Sequence, residues 1–190
     1  MADRRYQSVE RAGAKFWKVL AGAPGPVAGK RGPLFRYQVF VEKGLVAEPA
    51  LVAGVIERTL RDNRGWTRGS VRFQRVAEGA DTDVYLARPD TVDKLCVPLD
   101  TQGEVSCCVG RNVVFNWKRW KHAVPHWRPD AAGRLRTYRE MVINHEFGHR
   151  IGNGHRFCPY PGARAPVMQQ QTYGLQGCLA NPWPLESELL

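Results

Sequence analysis

Three histidines at positions 145, 149 and 155 lie in the segment HEFGHRIGNGH, and no other stretch of the chain restricts its folding as severely. On an α-helix, residues four apart share a face, so His145 and His149 aim their imidazoles at one point. Glu146 projects about 100° around the axis from His145. There its carboxylate reaches a water held by a metal without serving as a ligand itself. Gly152 adopts backbone conformations that other residues resist, which lets the chain turn back and bring His155 to the same point, with Asn153 and Gly154 shaping the turn. Three nitrogens leave one coordination position open, as in catalytic zinc sites and unlike the closed structural ones. A single histidine reads as an ordinary core or surface residue. Five fixed positions of this kind arise by chance in a chain of this length on the order of once in 10⁵.

The helix carrying this pair is expected to start near Thr137, where Thr137-x-x-Glu140 has the form of a capping box, and to run to about Ile151. Its apolar residues Tyr138, Met141, Val142, Ile143, Phe147 and Ile151 lie at several angles around the axis, so it is buried on more than one side. Upstream, FRYQVFVEKGL from Phe35 alternates like a half-buried strand. Pro49 then opens LVAGVIERTLRDNRGW, where Leu51, Val52, Val55, Ile56, Thr59 and Leu60 recur at helical spacing until Asn63 to Gly65 ends the run. SVRFQRV, TDVYLAR and NVVFNW (residues 112–117) read as further strands. This order predicts an α+β domain with helices packed against one twisted sheet. Residues 1–33, which include GAPGPVAGKRGP, read as a flexible lead-in, and 34–190 as the domain itself.

At 190 residues the chain suits one domain with a real core. Its 28 Lys and Arg against 18 Asp and Glu give +10. The basic residues are scattered from Arg4 to Arg164 in short clusters such as Lys118, Arg119 and Lys121, so nucleic acid is not an expected partner. His122 and His126 are four apart but separated by Pro125, and read as surface residues. The five cysteines form no C-x-x-C pair, which argues against a zinc ribbon or a dithiol redox motif. Proximity favours disulfides joining Cys96 to Cys107 or Cys108, and Cys158 to Cys178, leaving one thiol. Such bonds imply an oxidising, extracytoplasmic setting, although MADRRYQSVER has no apolar core of the kind a secretory signal carries. No apolar stretch reaches the length of a transmembrane segment.

The segment 145–155 matches the H-E-x-x-H-x-x-G-x-x-H pattern of metzincins, and Met168, thirteen residues past His155 in APVMQQQTYG, matches the position of their Met-turn. The resemblance implies a zincin-like fold: a twisted mixed β-sheet with a backing helix and a central active-site helix. It further implies one Zn2+ on His145, His149 and His155, Glu146 as general base, and Met168 as a structural apolar floor. Asn144 before the motif and PVMQQQT (166–172) after it make the stretch from about Cys96 to Pro184 similar to an uncharacterised, mainly actinobacterial family of zincin-like secreted proteins. Gln170 stands where some metzincins place a tyrosine ligand, so a tyrosine switch is not expected. The activity implied is that of a monomeric zinc-dependent endopeptidase acting on a peptide or protein substrate. The alternative is a catalytically silent zinc-binding extracellular interaction module on a peptidase fold. Tyr173 or a neighbouring backbone amide is the candidate to hold a developing oxyanion, and NVVFNW the candidate strand to pair with an extended peptide.

Overall fold

The computed structural model describes residues 16–128 and 133–189. Along the chain run β1 (Trp17–Val19), β2 (Leu34–Glu42), α1 (Pro49–Arg61), β3 (Arg72–Arg75), β4 (Thr82–Ala87), α2 (Pro89–Leu95), β5 (Cys107–Val109), β6 (Asn112–Asn116), α3 (Trp117–His122) and α4 (Arg134–Arg150). The strands form one mixed sheet in the order β1-β2-β4-β6-β5, with β3 also paired to β2. The central pairs β2/β4 and β4/β6 are parallel, as is β2/β3, whereas β1 and β5 are antiparallel to their neighbours. The protein is thus α+β, with a mixed sheet and helices on both of its faces.

Alternation along the strands decides what each face buries. Val84 and Leu86 of β4 join Val113 and Phe115 of β6 in the larger core, under Ile56 and Leu60 of α1 and Ile143 and Phe147 of α4. Their alternates Tyr85, Ala87 and Val114 face the other way, into a smaller core with Trp17 and with Val92 of α2. Both faces of the central strands are therefore dry, which suits parallel strands rich in β-branched residues. Phe147 anchors α4 to the sheet, meeting Tyr37 and Phe73 edge-on at ring separations of 5.6 and 5.5 Å. In α1, Val52, Ile56, Thr59 and Leu60 are buried as the periodicity requires, while Leu51 faces solvent.

Three expectations change. The lead-in expected over residues 1–33 lies outside the described residues as far as residue 15, and its remainder joins the sheet. Trp17 pairs with Glu42 on the side of β2 away from β4 and buries its ring, and Ala28 bridges Phe73 of β3. The capping box at Thr137 does not form: α4 starts one turn earlier at Arg134, with Gly133 as its N-cap. The Thr137 hydroxyl donates back to the Gly133 carbonyl and accepts from the Trp127 indole N–H instead. Finally, NVVFNW is not an edge. Its strand β6 is buried between β4 and β5, and the terminal strand is β5.

Two disulfides form, Cys96–Cys107 and Cys158–Cys178, and Cys108 is free. Strand alternation resolves the choice between the vicinal cysteines. Cys107 faces the smaller core with Cys96, and Cys108 points to the opposite face. Thiol titration of the denatured, unreduced chain should count one thiol, and peptide mapping should place it at Cys108; a count of three or more would contradict the pairing. Among the described residues no helix is long and apolar enough to cross a membrane.

Candidate metal centre

The end of α4 builds the site. Gly152, at φ +102, occupies the left-handed region that terminates helices. Its N–H bonds the His149 carbonyl at 3.0 Å, and the next N–H, from Asn153, bonds the Gly148 carbonyl at 2.9 Å. This double closure is the Schellman arrangement, and it reverses the chain so sharply that His155 returns over the helix. Asn153 contributes a second time, since its carbonyl accepts from His149 Nδ1 at 2.9 Å.

The three imidazoles converge as their spacing predicts. His149 Nε2 lies 3.2 Å from His145 Nε2 and 3.1 Å from His155 Nε2. A tetrahedral ion with bonds of about 2.0–2.1 Å holds its nitrogens ~3.3 Å apart, so His149 stands at coordination spacing from each of the other two, and all three ligand nitrogens lie within 4.8 Å of one another. Protonation supports this fit. His145 Nδ1 donates to the Val167 carbonyl at 2.8 Å and His149 Nδ1 donates to Asn153, which leaves each Nε2 as a lone pair turned towards the others. Burial holds all three rings below the ordinary histidine range, His145 down to about 3, and neighbouring histidines add to the effect at His145 and His149. Neutral rings with facing lone pairs repel each other unless a cation lies between them. Among the described residues, these three form the group of potential ligands able to close on one ion.

Glu146 lies beside the trio and is 5% exposed. Burial pushes its carboxyl up to about 8. All four side chains line one cleft of about 480 Å³ that opens to solvent. Its walls are Met141 and Val142 of α4, the 99–108 stretch with Cys108, and Gln170 to Tyr173. Tyr173 lines the cleft and is 56% exposed. Burial raises the Cys108 thiol to about 12, with the Glu146 charge contributing, which keeps it a protonated wall residue. His122 and His126 stay outside, His126 Nε2 meeting the Gln171 carbonyl at 2.8 Å.

Met168 is fully buried, its thioether packed against Gly148 of α4. It occupies a turn closed by the Gln169 N–H on the Pro166 carbonyl at 3.0 Å. The buried Gln171 side chain fixes that turn by donating to Pro166 and Asn181, while Gln169 donates to Gly174 and Leu175. Gln170 between them is exposed to the cleft. Asn144, just ahead of the motif, ties α4 to the C-terminal segment through Pro182 at 2.8 Å. One contributor escapes sequence reading entirely. Glu188, on a short 3-10 turn near the C-terminus, accepts the backbone N–H groups of both Val167 and Met168. No motif surrounds it, and one of two glutamates in the short tail PWPLESELL carries no periodic signal.

No curated protein and no solved structure matches the chain. A family model described as a protein of unknown function (DUF3152) matches residues 5–185. Because that match spans nearly the whole sequence and takes in every residue of the cleft, the chain belongs to the DUF3152 family.

Proposed function

We propose that the chain is a zinc-dependent endopeptidase of the metzincin type, held together outside the cytoplasm by its two disulfides. The observation that carries this reading is the convergence of three imidazole nitrogens beside a buried carboxyl in an open cleft. His145, His149 and His155 hold the ion. Bound there, zinc supplies a Lewis acid that lowers the pKa of a water towards about 7 and polarises a scissile carbonyl. Glu146 takes the proton from the attacking water and returns it to the leaving amine. Its dry surroundings suit that exchange, because a general base works best with a pKa near the operating pH. A purely structural site has no use for such a carboxyl beside an open position.

The substrate enters along β5, whose outer side has no partner strand among the described residues. Residues 105–108 line the cleft there and offer backbone groups to an extended peptide. Leu99, Val105, Met141 and Val142 make the adjoining wall apolar, which favours an apolar side chain next to the cleaved bond. Tyr173 faces the cleft and serves to hold the developing oxyanion.

The test is metal content and peptide-library cleavage by purified protein. One zinc per chain is expected, with cleavage abolished by a chelator and restored by zinc. Zinc without cleavage would favour a silent binding module. A folded chain that takes up no zinc would sink the reading.

A further inference from the structure

We infer that Glu188 is a positioning residue for the metal centre, acting through the backbone of the turn that carries Met168. This inference rests on the metal-site reading above. The carboxylate is fully buried. Its Oε2 accepts the N–H of Val167 at 2.9 Å and its Oε1 the N–H of Met168 at 2.8 Å, while the Leu185 N–H adds a third bond to Oε2 at 2.8 Å.

What the Val167 and Met168 carbonyls do gives the clamp its meaning: the first shares a peptide unit with the clamped Met168 N–H, and the second follows one Cα later. The Val167 carbonyl accepts from His145 Nδ1, and the Met168 carbonyl accepts the N–H of Arg156, next to His155, at 3.1 Å. One carboxylate thus fixes, from behind, the two carbonyls that orient a ligand ring on α4 and the strand of chain carrying the third ligand. Bidentate acceptance sets both the rotation and the height of the turn. Hydrogen bonds to a charged acceptor are short and directional, and partners of this kind orient metal-binding histidines and tune their affinity.

The amide of glutamine has one acceptor where the carboxylate has two, so Glu188→Gln turns an NH2 towards a backbone N–H. Donor faces donor, and the turn shifts. Zinc affinity is expected to fall roughly 10–100-fold, the usual effect of removing such a partner. Glu188→Asp, which keeps the charge but draws it back by one methylene, is expected to fall between the two. Glu186→Gln is the control, because Glu186 lies on the same 3-10 turn but faces outward against Arg68; its affinity should match the wild type.

The experiment is competitive zinc titration of the full chain and these variants, with melting temperatures recorded with and without metal. A merely structural role lowers both melting temperatures equally and leaves the zinc-induced increment intact. A positioning role shrinks that increment and shifts the visible spectrum of the cobalt-substituted protein. If neither Glu188 variant folds, amide exchange of the wild type decides: zinc should slow exchange at Val167 and Met168, and no change there overturns the inference. Wild-type binding with unchanged affinity and cobalt spectrum in Glu188→Gln also overturns it, leaving the metal centre standing. A wild-type chain that binds no zinc removes the metal centre, and this inference with it.

Discussion

Glu146→Gln is expected to lower kcat/KM for peptide cleavage by about 10²–10⁴-fold, the range supplied by a positioned general acid or base, while leaving one zinc bound per chain. In transition-state terms this is a loss of about 3–5 kcal/mol. The exchange preserves size and hydrogen-bonding reach, so the buried pocket around the side chain survives it. Glutamine cannot accept the water proton at the working pH. The three nitrogens that converge in the structure belong to His145, His149 and His155, so metal content should not follow activity. Loss of zinc in the variant would mark Glu146 as a ligand, and retained cleavage would remove it from the chemistry. The metal-free protein offers an independent check. Burial raises this carboxyl from 4.5 to about 8, so the folded state binds more protons than the unfolded one between those values. Wild-type stability therefore declines from pH 4.5 to 8 on this account. The glutamine variant lacks that decline, so the two melting temperatures should diverge across this window and coincide below it.

The parts of the site that were legible in the sequence are those governed by local periodicity. His145 and His149 share a helix face because 3.6 residues complete a turn, and Gly152 ends the helix because its φ of +102 suits glycine. Met168 is singled out only by the metzincin resemblance, through its position thirteen residues past His155. The cysteine pairs were legible to within one alternative, which the two-residue alternation of β5 resolves in favour of Cys107. What was hidden depends on tertiary partners. Thr137 and Glu140 satisfy a capping pattern, yet the Trp127 indole claims the threonine hydroxyl and the helix extends past it. NVVFNW precedes the HExxH helix as the substrate-binding strand does in metzincins, but only sheet order shows that the short β5 covers it. Glu188 is twenty residues from the turn it holds, and nothing in its neighbours announces that contact. The lead-in reads as irregular from its Gly and Pro content, while Trp17 finds its place on a sheet side that is not visible in local sequence.

Gly148→Ala, a substitution that ordinarily strengthens a helix, is expected to weaken this protein. In a helix interior, alanine gains roughly 0.5–1 kcal/mol over glycine through backbone entropy and propensity. Gly148 is in the last turns of α4 between His145 and His149, and it packs against the Met168 side chain. A Cβ there would overlap the Met168 sulfur and stand 2.7 Å from Cζ2 of Trp66. The thioether can swing aside, but the indole cannot. Trp66 is 2% exposed and its N–H donates to the Asn144 carbonyl at 2.8 Å, one turn before Gly148. Retreat of the indole would break that buried bond or displace the turn of α4 that carries His145 and His149. Overpacking of this kind costs about 1–3 kcal/mol, enough to outweigh the helical gain across most of that range. For a chain of this size the net loss lowers the melting temperature by up to roughly 10 °C. Weaker zinc binding should accompany it, since Val167 and Met168 carry the carbonyls that orient His145 and the His155 segment. A rise in melting temperature with unchanged zinc affinity would show that α4 does not approach the methionine turn this closely.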